Sequence, residues 1–594
     1  MNINLKMKLT LLRRFVKKEF PGKPVKLQHE SLVIDGDYFR DTYKKSFCPY
    51  ILGGEYDRYA NYLRNTLNMF VECGVTCYVV FKGAADTPVE KRLEIHQRII
   101  DRTDAVLPGR EENVYCEPIF VKDVVKEVLN ELGIKYFVCT YEEKETLFNV
   151  AHFFSCPILT NAIEYTIFGV SCIRPESLTF DKTNKQIRCE VFEGERLKRF
   201  FPRDYNLLAI LVSLLSDDAT YYAKIPSIIK CQEYRLVHAS TAWIRKKSPA
   251  FATESLRAGL DIEEEMELRS NVRAARTLFY RNGAKLAIQH FTSQVEGVSS
   301  RSFNYMVATG KIAAPYINLK LKETFSGSWL IGCKDKPDAM LPALDIVFYS
   351  YAHLRGGKDL EIKFIGRQNI EDTSTSKNWV IYKSILSKNT QSHFQLFLHD
   401  NLPGFDIYIF KDLPQDCWLL LTTLVFYNVR NGSAFTNGAL AIVLSYVLLS
   451  VVSRVGLIKR SNQTLFNPSS DSFKDENGIS NTDCLIVGHR VLDLFYINEQ
   501  KLKDNFSRPI LHSLAEFQHC LQHMNYLNAM CDDISPTCYH KSINMTLVYN
   551  VILILDTVDS PMSYLEDLIN CPSIFSFYRR IVDTFNKCQD MVFT

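Results

Sequence analysis

The chain has 594 residues, 46% of them hydrophobic and 23% charged, with a formal net charge of +3. This is the balance of an ordinary globular protein of two to four domains, at about 150 residues each, and it excludes a chain too polar to build cores. So small a net charge gives no whole-chain electrostatic argument for or against nucleic acid.

Lys6, Lys8, Arg13, Arg14, Lys17, Lys18, Lys23 and Lys26 face one acid, Glu19, near the amino terminus. Leu5, Leu9, Leu12, Val16 and Phe20 recur at helical spacing, which predicts a basic amphipathic helix stopped by Pro21-Gly22. It is expected to pack on the sheet with a solvated cationic face; a membrane, nucleic-acid or targeting role is the lesser reading.

Ser31-Leu32-Val33-Ile34-Asp35-Gly36 then reads as a short strand buried on both faces and ending in a carboxylate. Three further runs have the same shape: Cys77 to Phe81, Tyr136 to Cys139 and Pro157 to Leu159. Helical patterns lie between them, from Tyr59 to Phe70, from Val121 to Leu132 and from Leu147 to Phe154. The alternation predicts a parallel sheet with helices on both faces to about residue 175. Acids follow the strands at Asp35, at Glu142, Glu143 and Glu145, and at Glu164. The glutamates that open a helix also meet its macrodipole, a structural role in its own right.

The second half is mainly helical. Leu207 to Leu215, Trp418 to Tyr427 and Ala439 to Val452 read as buried helices, and Glu254 to Ala287 as a charged one. No transmembrane segment is expected, because the apolar part of 439–452 is short of the roughly 20 residues a span needs. Ser461 to Asp483 is a polar linker. His512, His519, Cys520, His523, Cys531, Cys538 and His540 form a late cluster without Cys-x2-Cys spacing. Zinc is the lesser reading there, since a helix exposing its histidines explains the spacing as well. Seventeen scattered cysteines with no CxxC pair and no apolar leader read as reduced thiols of an intracellular protein, nuclear or cytoplasmic.

Carboxylates at the ends of several parallel strands converge, and enough of them hold two divalent cations that activate water and steady a leaving oxygen. Five segments in order resemble the protein asteroid family: Leu32-Val33-Ile34-Asp35-Gly36-Asp37, Gly53-Gly54-Glu55-Tyr56-Asp57-Arg58-Tyr59-Ala60, Tyr78-Val79-Val80-Phe81-Lys82-Gly83, Cys156-Pro157-Ile158-Leu159 and Phe517-Gln518-His519-Cys520-Leu521. That family is a branch of the XPG and flap-endonuclease superfamily. The resemblance covers about the first 220 residues and continues loosely to the end. It implies a PIN-like α/β parallel-sheet domain at 1–180, a helical continuation at 181–230 and a mainly α-helical carboxy-terminal domain at 231–594.

The resemblance also implies a metal site and its decay. Asp35 matches the first catalytic aspartate, while Glu143 and Glu145 match acids after the third strand. Cys139 stands where flap endonucleases carry a glutamate. The second aspartate is replaced by Lys82, and an Asp-x-Asp pair becomes Ala162-Ile163-Glu164. A last aspartate falls at Leu215, with Asp217 or Asp218 reached only by a slip. Met7-Lys8-Leu9-Thr10-Leu11-Leu12 aligns with Met-Gly-x-x-Gly-Leu without either glycine, with six residues before it. An ammonium about 4 Å from a divalent ion costs roughly 8 kcal/mol at an effective dielectric near 20. Lys82 is therefore expected to pair with Asp35 and to fill the old metal site. The resemblance thus implies a protein- or nucleic-acid-binding scaffold with a degenerate centre, associated with receptor tyrosine kinase (EGF receptor) signalling. The alternative is a weak Mg2+-dependent, structure-specific endonuclease on single-stranded or branched DNA, with Asp35, Glu143, Glu145 and Glu164 catalytic and Asp35, Glu143 and Glu164 on the metal. Whether the chain is an enzyme stays open on sequence alone.

Overall fold

The computed structural model describes residues 9–85, 89–108, 115–217, 219–231, 235–277, 284–293, 302–333, 335–355, 360–365, 377–382, 392–432, 434–456, 478–531 and 534–593. The chain forms two compact units that interleave in sequence. The first takes Met1–Arg40, Thr66–Thr87 and Leu129–Gly310, and the second takes Asp41–Asn65, Pro88–Val128 and Lys311–Thr594.

The first unit is built on an eight-stranded sheet: β1 (Lys23–Leu27), β2 (Ser31–Asp35), β3 (Thr76–Phe81), β4 (Lys135–Val138), β5 (Ile158–Leu159), β6 (Cys172–Ile173), β7 (Thr179–Asp181) and β8 (Gln186–Phe192). The strand order is β1-β8-β6-β5-β2-β3-β4, with β7 also on β8. The four strands expected from apolar runs are present, parallel and adjacent. Leu32, Val33 and Ile34 are fully buried, as a strand covered on both faces requires.

The sheet is not parallel throughout. β1, β7 and β8 add an antiparallel edge. These strands lack a continuous apolar run: β1 exposes four of its five residues and includes Pro24, as an edge strand can. β8 alternates buried and exposed residues in its middle. Residues 181–230, read from sequence as a helical continuation, therefore open on a strand before the helices Gly194–Leu197 and Tyr205–Leu214. The charged stretch 254–287 is likewise divided among helices Pro249–Arg257, Ile262–Thr277 and Lys285–Thr292.

The predicted basic helix runs from Thr10 to Glu19. It buries Leu12, Phe15 and Val16 and packs on the turn Ile163–Phe168 and on helix Leu236–Arg245. Arg14, Lys17 and Lys18 stay in solvent, while Met7 and Lys8 lie outside the described residues.

The second unit is mainly helical, with a small sheet formed by Thr324–Phe325, Leu360–Ile365 and Lys377–Tyr382. Its long helix Arg508–Cys531 is buried on nearly every side. Thr436–Val455 spans 20 residues with a mean hydropathy of 2.0, enough by length and composition to cross a membrane. However, 78% of its apolar window is buried in the protein, as in a core helix. Of the expected linker 461–483, residues 461–477 lie outside the described residues.

Candidate functional site

The order β5-β2-β3-β4 makes β2 the strand where connections change direction. The crossover after β2 leads to β3 on one side, and the one after β4 returns to β5 on the other. Open α/β sheets place their sites at the carboxyl ends of strands at such a point. Asp35 ends β2, 4% exposed, beside the end of β5. Its Oδ2 accepts from the Thr160 hydroxyl at 2.7 Å and its Oδ1 from the Asp37 N–H at 3.0 Å. Gly36 must follow, because a Cβ there would lie 2.6 Å from Cδ1 of Phe81.

Glu143 stands at the amino end of helix Lys144–Phe153 without capping it, and is 5% exposed. Its Oε2 is buried with no hydrogen-bond partner. Burial, and then repulsion from Asp35, push the Glu143 carboxyl up to about 7. Burial, and then Asp37, push Asp35 up to about 6, against the hydrogen bond from Thr160. Burial drives the Tyr165 hydroxyl far up, and Asp35, Glu143 and Glu164 add to it, so three acids share one neighbourhood around that ring.

Lys82 does not pair with Asp35. Its ammonium donates to Glu142 Oε1 at 2.6 Å. The backbone dictates this: Gly83 N–H donates to Tyr141 O at 2.8 Å and Ala84 N–H to Thr140 O at 2.9 Å. This zips the exit of β3 onto the exit of β4. A Cβ on Gly83 would meet Cys139 O at 1.9 Å, so only glycine allows the clamp. Glu142 is the less buried acid, so pairing with it costs less desolvation than pairing with Asp35.

Glu164 is also compensated. Arg13 grips it with both arms, Nε on Oε2 at 2.8 Å and Nη2 on Oε1 at 2.7 Å. That bond, against burial, raises the Arg13 guanidinium above its ordinary value. Asp217 Oδ2 accepts the Thr10 N–H at 2.8 Å; Asp218 lies outside the described residues. Ala162 carries no ligand, and its N–H donates to Thr160 Oγ1 at 3.1 Å. Glu145 is half-buried in the first turn of its helix. Cys139 is buried against Thr146, its thiol pushed up to about 12 by burial. Arg13 and Thr160 are the participants that sequence reasoning missed, and only Thr160 had a signal, directly after a buried strand; Glu142 was read as a strand-end acid but not as the partner of Lys82.

The acids therefore do not fit a two-ion centre. Among the described residues, only Glu127, Cys538 and His540 bring three potential metal ligands within 4.8 Å of one another. That trio closes on itself without an ion. Arg64 Nη2 lies 2.7 Å from His540 Nε2, and because a guanidinium only donates, the ring proton sits on Nδ1, 2.6 Å from Glu127 Oε2.

The rest of the late cluster is scattered. His512 meets the Cys333 N–H and Glu516, His523 meets Tyr316, and Cys531 meets His353. The histidines of helix Arg508–Cys531 are buried rather than exposed, because the helix packs all round.

The family model for the Asteroid N-terminal domain matches residues 417–594. In that stretch the chain is similar to the asteroid family. The match falls on the helical second half and contains one of the five segments that carry the resemblance, Phe517 to Leu521. The chain is 25% identical over 170 residues to protein asteroid of Drosophila melanogaster, 28% of this chain and 20% of that one. It is 26% identical over 212 residues to the single-strand DNA endonuclease ASTE1 of Danio rerio, 34% of this chain and 30% of that one. The asteroid match thus spans less than a third of the length of either curated relative. Among solved structures, human GEN1 with Holliday junction DNA aligns at a TM-score of 0.27 and 12% identity, over 63% of this chain and 93% of that one. The catalytic core of Rad2 with a DNA substrate aligns at 0.27 and 14%, over 50% and 98%.

Proposed function

We propose that this chain is a binding protein of the asteroid family on a nuclease-derived scaffold and does not hydrolyse phosphodiesters. One observation carries the reading: Glu164, an acid that a metal centre needs, is neutralised by a bidentate Arg13. The partner we favour is single-stranded nucleic acid, for which the names of the ASTE1 relatives give support.

A basic cleft of about 680 Å³ supports the same partner. It is lined by Lys23, Arg196, Lys198, Arg199, Arg203 and Tyr205. Glu193 and Glu195 pair with Lys23 and Lys198, which leaves a positive excess from the arginines. The cleft lies at the end of the sheet where the parallel strands begin, because Lys23 pairs with Val191 and Phe192 with the first residue of β6. It is therefore remote from Asp35. Arginines track phosphates without reading sequence, and an exposed tyrosine offers a stacking face. Receptor-kinase signalling partners and a nuclear or cytoplasmic location belong to the same proposal, on the family resemblance.

A weak Mg2+-dependent endonuclease is the second reading. It is favoured by Lys82 turning away from Asp35 and by the uncompensated Asp35–Glu143 pair. Fluorescence polarisation with a labelled single strand in EDTA tests the first. The full chain should bind, and charge reversal of Arg196, Arg199 and Arg203 together should weaken binding at least tenfold at low salt. Equal binding by that variant counts against the cleft.

A further inference from the structure

The second unit brings three helix ends together at one sulfur and two imidazoles. Cys531 is the last residue of helix Arg508–Cys531, His353 lies in the last turn of helix Leu344–Arg355, and His393 opens helix His393–Asn401. The three helices pack on one another, and all three side chains are half-buried. His353 Nδ1 is 3.4 Å from His393 Nδ1 and 3.9 Å from Cys531 Sγ. The two rings stand at 87° with centres 5.1 Å apart. One ring nitrogen carries either a proton or a lone pair, so His353 Nδ1 can complete a hydrogen bond with one of these neighbours but not with both. A cation serves all three groups, because each offers it a lone pair.

We propose that Cys531, His353 and His393 form a zinc site that fastens these helix ends. A thiolate with two imidazoles is a donor set that selects zinc over magnesium or calcium. In a tetrahedral centre with Zn–N of about 2.0 Å and Zn–S of about 2.3 Å, two nitrogens sit about 3.3 Å apart, and a nitrogen and a sulfur about 3.5 Å apart. The histidine pair already has that separation. The Cys531 sulfur is a few tenths of an ångström too far from His353. Cys531 and His393 are the wide pair, beyond the 4.8 Å within which Glu127, Cys538 and His540 gather. Closing on the ion requires a turn of the Cys531 side chain about its Cα–Cβ bond, at a half-buried helix end. Binding releases the thiol proton to solvent, since the thiolate is the ligand. Three protein ligands leave the fourth position to water. The site does not involve the strand-end acids. It also differs from the trio Glu127, Cys538 and His540, whose imidazole is taken on both sides by Arg64 and Glu127.

The test is Co2+ binding to the metal-free full-length chain, followed by absorption. Wild type should show, at one ion per chain, a thiolate-to-cobalt charge-transfer band in the near ultraviolet and the visible bands of a tetrahedral ion. Zn2+ should abolish both by displacement. Cys531→Ser should lose the charge-transfer band, and His353→Gln and His393→Gln should each weaken binding by at least about tenfold. Cys538→Ser should leave band and affinity unchanged. No charge-transfer band in wild type, a band that survives Cys531→Ser, a band that Cys538→Ser removes, or unchanged affinity in both histidine variants would each overturn the proposal. Should a variant fail to fold by circular dichroism, wild type decides alone. Zn2+ should then protect Cys531 from alkylation by iodoacetamide, read by mass spectrometry, and alkylation at the same rate with and without Zn2+ would overturn the proposal.

Discussion

Glu143 and Asp35 titrate higher in the folded protein than in the unfolded chain, about 7 and about 6 against ordinary values of 4.5 and 3.8. The native state therefore holds protons that the unfolded chain releases. Their contribution to stability is fully present below about pH 4 and is lost as pH rises through 6 and 7. Glu143→Gln removes the buried charge and, with it, the repulsion from Asp35. At about 1.4 kcal/mol per pH unit, it should stabilise the chain by roughly 2–3 kcal/mol at pH 8 in EDTA and by little at pH 4, read from urea denaturation. An equal effect at both pH values would show that Glu143 is not held above its ordinary value in the folded chain. At this scale the sequence was legible for Asp35, whose buried strand leads to one position. It was misleading for Lys82. A lysine directly after a strand reads as pointing at the carboxylate on the next strand, yet its partner depends on a backbone clamp between Gly83 and Tyr141 that no spacing encodes. Arg13 and Glu164 are 151 residues apart, and nothing local links them.

The element that decides the chemistry is the amino-terminal helix. Its apolar stripe was readable, and the stripe buries as expected against the turn Ile163–Phe168 and helix Leu236–Arg245. Phe15 sits among Phe20, Phe200, Phe201 and His238 at ring separations of 4.8 to 6.1 Å. Leu12 is fully buried, so Leu12→Ala should cost about 2–5 kcal/mol by lost transfer energy and cavity formation, measured by thermal or urea unfolding. Loss of less than 1 kcal/mol would mean the helix is not anchored there. The strands that escaped the sequence reading share a physical reason. β6 is two residues long, and β1 and β8 sit at an antiparallel edge where solvent on one side removes the continuous apolar run.

Across the molecule two buried clusters, one in each unit, respond to acid with opposite sign. In the second unit His519 and His523 are fully buried with stacked rings 6.3 Å apart. Burial drives His519 down to about 3, with Glu516 opposing and the charge of His512 adding, and drives His523 down as well, with the charge of His519 adding. Groups held below their ordinary value of 6.5 contribute stability that is present above 6.5 and lost as pH falls. The Asp35–Glu143 pair of the first unit gains over the same range. Hydrogen exchange, corrected for intrinsic rates, should therefore show helix Arg508–Cys531 losing protection between pH 7.5 and 4.5 while β2 and β3 keep theirs. Uniform loss would contradict the assignment. The helical second half was readable as helices but not as a fold. Its packing draws on early segments, as where Asp123 accepts from Gln522 and Tyr526 across some 400 residues of chain.

The loss of phosphodiester chemistry at the strand ends is the central claim, and one incubation tests it most directly. Wild-type chain in excess over a labelled single strand, with Mn2+ at neutral pH, should leave the strand bound and intact after hours. Metal-dependent cleavage that Asp35→Asn abolishes would contradict it.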